Sequence, residues 1–165
     1  MGTQVTELLG GERVLGTSVH SNLDLARATR EGLPAAAAMQ VGELLLCFEP
    51  ALATDFQATL LPEMRHLVSL VDVYRGLRWP SEGRETGPIG TYPRLTPEES
   101  DIVVRMAGTL AKAIDTLGDR TRAVHWLTTP NPVLGGEIPA RLLDTSAGTG
   151  EVQAILERIE FGVYS

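Results

Sequence analysis

Residues 96–118 read TPEESDIVVRMAGTLAKAIDTLG, and no other stretch restricts the fold as much. Thr96 stands as an N-cap, Pro97 at the first helical position and Glu99 two residues further on, which together spell a capping box. Proline costs nothing there, because the amide it lacks would have no intrahelical acceptor. Val103, Met106, Leu110, Ile114 and Leu117 then form one apolar stripe at helical spacing, and Gly118 sits where a helix ends on a left-handed residue. A helix of this length with one apolar face must bury that face against other elements, so the rest of the chain has to supply them.

The residues after Gly118 supply more helices. Asp119 can cap a short helix RTRAVHWL, and TTPNPVLGGEIP is a proline–glycine connector leading to a short helical piece, ARLLD. Gly135 and Gly136 read as a turn that needs positive φ. Thr145 can cap a last helix whose face, Val152, Ile155, Leu156 and Ile159, needs a packing partner, and Gly162 stops it.

Upstream, residues 1–21 show no helical periodicity and read as a mobile arm. Ser21 or Asn22 caps LDLARATREG, Gly32 ends that helix, and Pro34 opens an alanine- and leucine-rich helix to Phe48. Residues 51–78 read as one or two helices interrupted at Pro62, with Leu67, Leu70, Val71 and Tyr74 on one face. WPSEGRETGPIGTYPRL, residues 79–95, is a long loop and the expected boundary between two halves. No hairpin signal and few alternating runs occur, so the fold class is all-α. The expected division is an arm over 1–21, a helical region over 22–78, the loop over 79–95 and a second helical domain over 96–165.

Chemistry is mostly excluded. There is no phosphate-cradling or dinucleotide glycine fingerprint and no nucleophile elbow. His20, His66 and His125 are isolated from one another, and Cys47 is the single cysteine, so neither a metal cluster nor a disulfide framework is expected. Glu98, Glu99 and Asp101 lie in a first helical turn, where carboxylates serve the helix dipole. The reading is therefore not an enzyme, with no cofactor. No positively charged start leads into an apolar core segment, and the apolar run Leu33–Phe48 is broken by Pro34, Gln40 and Glu43. A cytoplasmic protein without membrane contact is expected. The net charge of −7 suits a basic partner better than nucleic acid. Trp126 has two readings, a core residue or a partner contact.

Over residues 94–165 the residues themselves carry a resemblance. Trp126-Leu127, Pro130-Asn131-Pro132, Leu134-Gly135-Gly136, Pro139, Leu142-Leu143-Asp144-Thr145 and Ile159-Glu160-Phe161-Gly162-Val163-Tyr164 stand at fixed spacing. This segment resembles the toxin-binding domain of the Xre/MbcA/ParS antitoxins. The resemblance implies an antitoxin of a type II pair whose partner is a RES-domain toxin that consumes NAD, or a related ADP-ribosylating enzyme. It implies toxin contacts at Trp126, Asn131, Leu134, Gly135, Gly136, Arg158, Phe161, Gly162, Val163, Tyr164 and Ser165. The last five would form a plug in the toxin's NAD pocket, with the terminal carboxylate meeting toxin cations. Read from the residues alone, Tyr164 packs back on its own domain as a C-terminal staple, and the resemblance is what favours the plug instead.

Earlier in the chain, REGLPAAAAMQVGELL is similar to the segment that precedes the helix-turn-helix in these antitoxins. The hydroxyl-rich opening and arginine run usual after that segment are not legible here. Arg65, Arg75, Arg78 and Arg84 can supply phosphate contacts to operator DNA, but Glu63, Asp72, Glu82 and Glu85 accompany them, as on a solvated mixed-charge face. Homodimerisation within a larger toxin–antitoxin complex is a further implication of the resemblance. The alternative function is an Xre-type transcriptional regulator with no neutralising role.

Overall fold

The computed structural model describes residues 2–46, 94–143 and 145–162. In chain order the helices are α1 (Gly2–Leu8), α2 (Gly11–Leu15), α3 (Asn22–Glu31), α4 (Ala35–Leu46), α5 (Pro97–Leu117), α6 (Arg120–Thr128) and α7 (Ser146–Glu160). Two 3-10 turns, Pro132–Leu134 and Pro139–Leu142, fill the connection between α6 and α7. No strand forms among the described residues; Pro34 and Arg94 make an isolated antiparallel bridge. The all-α class expected from the sequence is what forms.

α5 is the central element, packed against α1, α3, α4, α6 and α7. Its capping box is complete: the Thr96 hydroxyl accepts the Glu99 amide, and the Glu99 carboxylate accepts the Thr96 amide at 2.8 Å. Val103, Met106 and Leu110 are buried, and Ile114 and Leu117 pack partly buried at the edge of the same core. Burying a side chain of this size stabilises the fold by roughly 1.5–3 kcal/mol, so the stripe is the main reason the helices gather around α5.

The N-terminal segment departs from the expectation of a mobile arm. Residues 2–8 and 11–15 are helical, and Val5, Leu8, Leu9, Leu15 and Val19 are buried in the same cluster as Leu110 and Leu127. Helices this short have no stability of their own in water. They persist because α1 lies on α5, where Gln4 donates to Asp115, and α2 packs on α4.

α3 carries a second capping box, with Ser21 accepting from the Asp24 amide and Asp24 accepting from the Ser21 amide. The link from α3 to α4 is then fastened to the start of α5. Leu95 N–H donates to Leu33 O at 2.8 Å, Leu33 N–H donates to the Ser100 hydroxyl at 2.8 Å, and the Arg94 guanidinium donates to Gly32 O. Ser100, fully buried, donates its own hydroxyl proton to Thr96 O. Gly32 has φ +85°, and a Cβ there would lie 2.2 Å from Leu95 O, so only glycine lets the two segments approach. The core thus runs from α1–α4 into α5–α7 without a break among the described residues. Cys47, Phe48, the helices expected over 51–78 and residues 79–93 of the loop expected over 79–95 lie outside the described residues.

Candidate functional site

α6 is capped by Asp119, whose carboxylate accepts the amides of Thr121 and Arg122. Ala123, Val124 and Leu127 face the core, while Arg120, Arg122 and His125 are exposed and Trp126 is half-buried. The helix is closed by hydroxyls: Thr128 donates to Val124 O at 2.8 Å and Thr129 to His125 O at 2.7 Å. Pro130 comes next and cannot continue the helix.

Asn131 organises the loop beyond it. Its side-chain oxygen accepts the Val133 amide at 2.9 Å, capping the first 3-10 turn. Its carbonyl accepts from both Leu134 and Gly136, and its own amide donates to Glu137 O. Gly135 and Gly136 hold φ of +69° and +88°, the positive φ that this tight return requires. Asn131 is buried, whereas Val133 is pushed outward and stands 52% exposed.

Between helix and loop lies an open groove of about 600 Å³. Leu117, Trp126, Pro130, Pro132 and Val133 give it an apolar lining, and Arg122, His125, Thr129 and Asn131 supply its polar atoms. Among the described residues no carboxylate side chain lines it.

α7 delivers the second part of the site. Thr145 caps it by accepting the Gly148 amide, and Val152, Ile155 and Leu156 are buried against the core. Arg105 donates to Ser146 at 3.2 Å, and Lys112 pairs with Glu157 at 3.1 Å. Both partners move toward higher numbers together, so α5 and α7 run in the same sense. α7 therefore ends near the end of α5 that carries the groove's Leu117. There Phe161 is 75% exposed and Gly162 adopts φ +66°, turning the backbone off the helix axis.

The residues expected to form the site are thus divided between two neighbouring features. Trp126, Asn131, Leu134, Gly135 and Gly136 belong to α6 and its loop; Arg158, Phe161 and Gly162 belong to the end of α7. Leu134 is half-buried and Arg158 exposed. Trp126 packs against the core with one part, as its first reading had it, and lines the groove with another. Val163, Tyr164 and Ser165, and the arginines 65, 75, 78 and 84, lie outside the described residues. Arg122, His125 and Val133 join the site without having been expected there. For Val133 the signal in the sequence is Asn131-Pro132, an N-cap asparagine followed by proline, which predicts the turn that carries it; Arg122 and His125 have none. Among the described residues no cluster of three metal-ligating side chains occurs, and no helix is long and apolar enough to cross a membrane.

Comparison with known proteins places these features in a family context. The antitoxin Xre/MbcA/ParS C-terminal toxin-binding domain matches residues 112–162, which take in α6, the loop, α7 and Phe161. A Pseudomonas putida protein named Antitoxin Xre is 32% identical over 124 residues, covering 68% of this chain and 77% of that protein. Proteins of the same name from Yersinia enterocolitica and Photorhabdus laumondii are 40% and 33% identical over 73 residues. In both, the matched region spans about half the length of the relative, 49% in each case.

Proposed function

The chain belongs to the Xre/MbcA/ParS family of antitoxins, and from that premise we propose that it is the neutralising member of a type II toxin–antitoxin pair. Its partner in this reading is a RES-domain toxin that consumes NAD, held by the α6–loop groove and blocked by the segment after α7. Inhibition by occlusion asks for no catalysis, only for complementary surfaces and one peptide placed in the partner's active site.

The observation that carries the reading is the position and exposure of Phe161. A large aromatic side chain 75% exposed at the end of an otherwise well-packed helix is apolar surface that a partner can cover. Covering it would add the gain of burying an aromatic side chain. α7 is anchored by Val152, Ile155 and Leu156, so the ordering cost of presenting that residue is already met by the fold. Gly162 holds a positive φ at the end of α7, and in this reading the residues after it form the plug. Pairing of two copies through the N-terminal region, operator binding through the arginines of residues 65–84 and a cytoplasmic setting belong to the same reading.

Co-expression with the neighbouring reading frame tests it. The full chain restores growth against a toxic neighbour, and a chain ending at Glu160 does not. Full rescue by the shortened chain contradicts occlusion, and a neighbour with no toxicity contradicts the pairing.

A further inference from the structure

Resting on the antitoxin reading, we propose that α1 is a positioning element of the toxin-binding half, so that its docking on α5 and the binding of toxin reinforce one another. The matched residues 112–162 do not close a core by themselves. Val5, Leu8, Leu9 and Leu15 are buried in one cluster with Leu127 and Leu156, from opposite ends of the chain. α1 also lands at a particular place. The Gln4 side-chain amide donates to Asp115 Oδ1 at 3.1 Å, just before Leu117. Leu117 packs at the edge of the core and lines the groove. Lys112, on the preceding turn of α5, holds Glu157 of α7, and α6 starts just beyond Gly118 and Asp119. The same end of α5 therefore seats α1, steadies α7 and launches α6. A close-packed interior transmits a shift at one of these contacts to the others.

The docking is local. α1 has seven residues and α2 five, too few for a helix to hold itself in water, so both are ordered only while packed. α2 lies between Gly10 and Gly16, both left-handed, and its N-cap makes no side-chain hydrogen bond. A segment attached in this way opens at a lower free-energy cost than the whole fold. Leu8 and Leu9 are buried and Glu7 between them and Thr6 is exposed, so α1 turns an apolar face inward and a charge to water. The chain therefore has a docked and an undocked state, and the docked one holds the toxin contacts of α6 and α7 in place. A ligand that favours one state shifts the population toward it, and the effect is reciprocal. Toxin binding tightens α1, and loosening α1 lowers toxin affinity in proportion to the docked molecules lost.

Hydrogen exchange of the full chain, alone and with the toxin encoded alongside, is the first arm of the test. In the free chain the amides of α1 should exchange faster than those of α5, and toxin should slow them by about fivefold or more. Exchange of α1 at the rate of α5 in the free chain overturns the proposal, because α1 then opens only with the whole fold. Unchanged exchange in α1 while α6 and α7 become protected overturns it as well and leaves the antitoxin reading standing. The second arm measures toxin affinity by calorimetry for the wild-type chain, Leu8→Ala and Glu7→Arg, with circular dichroism confirming helicity. Leu8→Ala should weaken binding by about fivefold or more, and Glu7→Arg should leave it unchanged. Undiminished affinity in Leu8→Ala overturns the proposal. A loss in Glu7→Arg overturns it too, because α1 then touches the toxin directly. Should Leu8→Ala lose its helicity throughout, Gln4→Ala takes its place, with faster α1 exchange and weaker binding expected together; faster exchange without weaker binding overturns the coupling. Absence of toxin binding by the wild-type chain overturns the antitoxin reading and the proposal together.

Discussion

Gly32→Ala should destabilise the chain by about 3–5 kcal/mol, with two sources. Gly32 sits at φ +85° and ψ 126°, a region that costs a residue with a side chain roughly 1–3 kcal/mol. The added Cβ would also fall 2.2 Å from Leu95 O, which is backbone and cannot rotate aside. The α3–α4 link and residues 94–95 must then separate. That loosens the Leu95 N–H to Leu33 O bond and the Leu33 N–H to Ser100 bond, each contributing about 1 kcal/mol. Gly118→Ala is the matched comparison: its φ is +74°, but nothing lies within 4 Å of the added Cβ, so about 1–2 kcal/mol of strain is all it should show. Urea denaturation followed by far-ultraviolet circular dichroism, at one protein concentration, reads the difference directly. A Gly32→Ala cost no greater than that of Gly118→Ala would refute the claim that the N-terminal helices and α5 are fastened at this crossing.

Thr109 is fully buried and its hydroxyl has no hydrogen-bond partner among the described residues, so Thr109→Val should leave stability unchanged or raise it by up to about 1 kcal/mol; a loss of more than about 1 kcal/mol on denaturation would contradict this. Asn131→Ala removes the cap on the Val133 amide and should lower stability by about 1–2 kcal/mol while weakening partner binding, since the Val133 wall of the groove loses its support; titration calorimetry with the toxin checks the second part. The Asp24 carboxyl is held below its ordinary value of 3.8, first by the Ser21 hydroxyl and then by the His20 and Ser21 amides and Arg27. A depressed native value means the contribution is present above that ordinary value and disappears as pH falls through the lower one. Wild type and Asp24→Asn should therefore differ in unfolding midpoint at neutral pH and converge in acid, and parallel midpoints down to about pH 2 would contradict the assignment.

The parts of the fold legible in the sequence are those specified by neighbours in the chain. Ser21, Thr96, Asp119 and Thr145 each cap the helix expected of them, because a cap is decided within four residues. α1 and α2 are illegible for the opposite reason. α2 lies between two left-handed glycines, Gly10 and Gly16, with no side-chain cap, and α1 is seven residues long. Their order comes from Leu8, Leu9 and Leu15 entering a core built by residues about a hundred positions away, which no local periodicity records. The site divides in the same way. Trp126, Gly135 and Gly136 are legible as aromatic and turn residues. The inward orientation of Asn131 and the outward one of Val133 depend on hydrogen bonds closed across the loop.

This division bears on how the site works. Asn131 holds the loop from inside, so in the proposed reading its effect on a partner passes through the shape it gives Pro132 and Val133. α7 is similarly a rail: its buried face fixes direction, while Glu157 and Lys112 tie its outer side to α5. An exposed pair of this kind contributes at most about 1 kcal/mol, so the apolar face sets the position and the ion pair trims it.

The central claim is that binding and inhibition are separable, with the groove and α7 holding the toxin and residues 161–165 blocking it. The direct measurement is NAD consumption by the purified toxin in the presence of either the full chain or a chain ending at Glu160, alongside the affinity of each. The account predicts that the shortened chain still binds while NAD consumption continues, and that the full chain stops it. Equal inhibition by the two chains would contradict it.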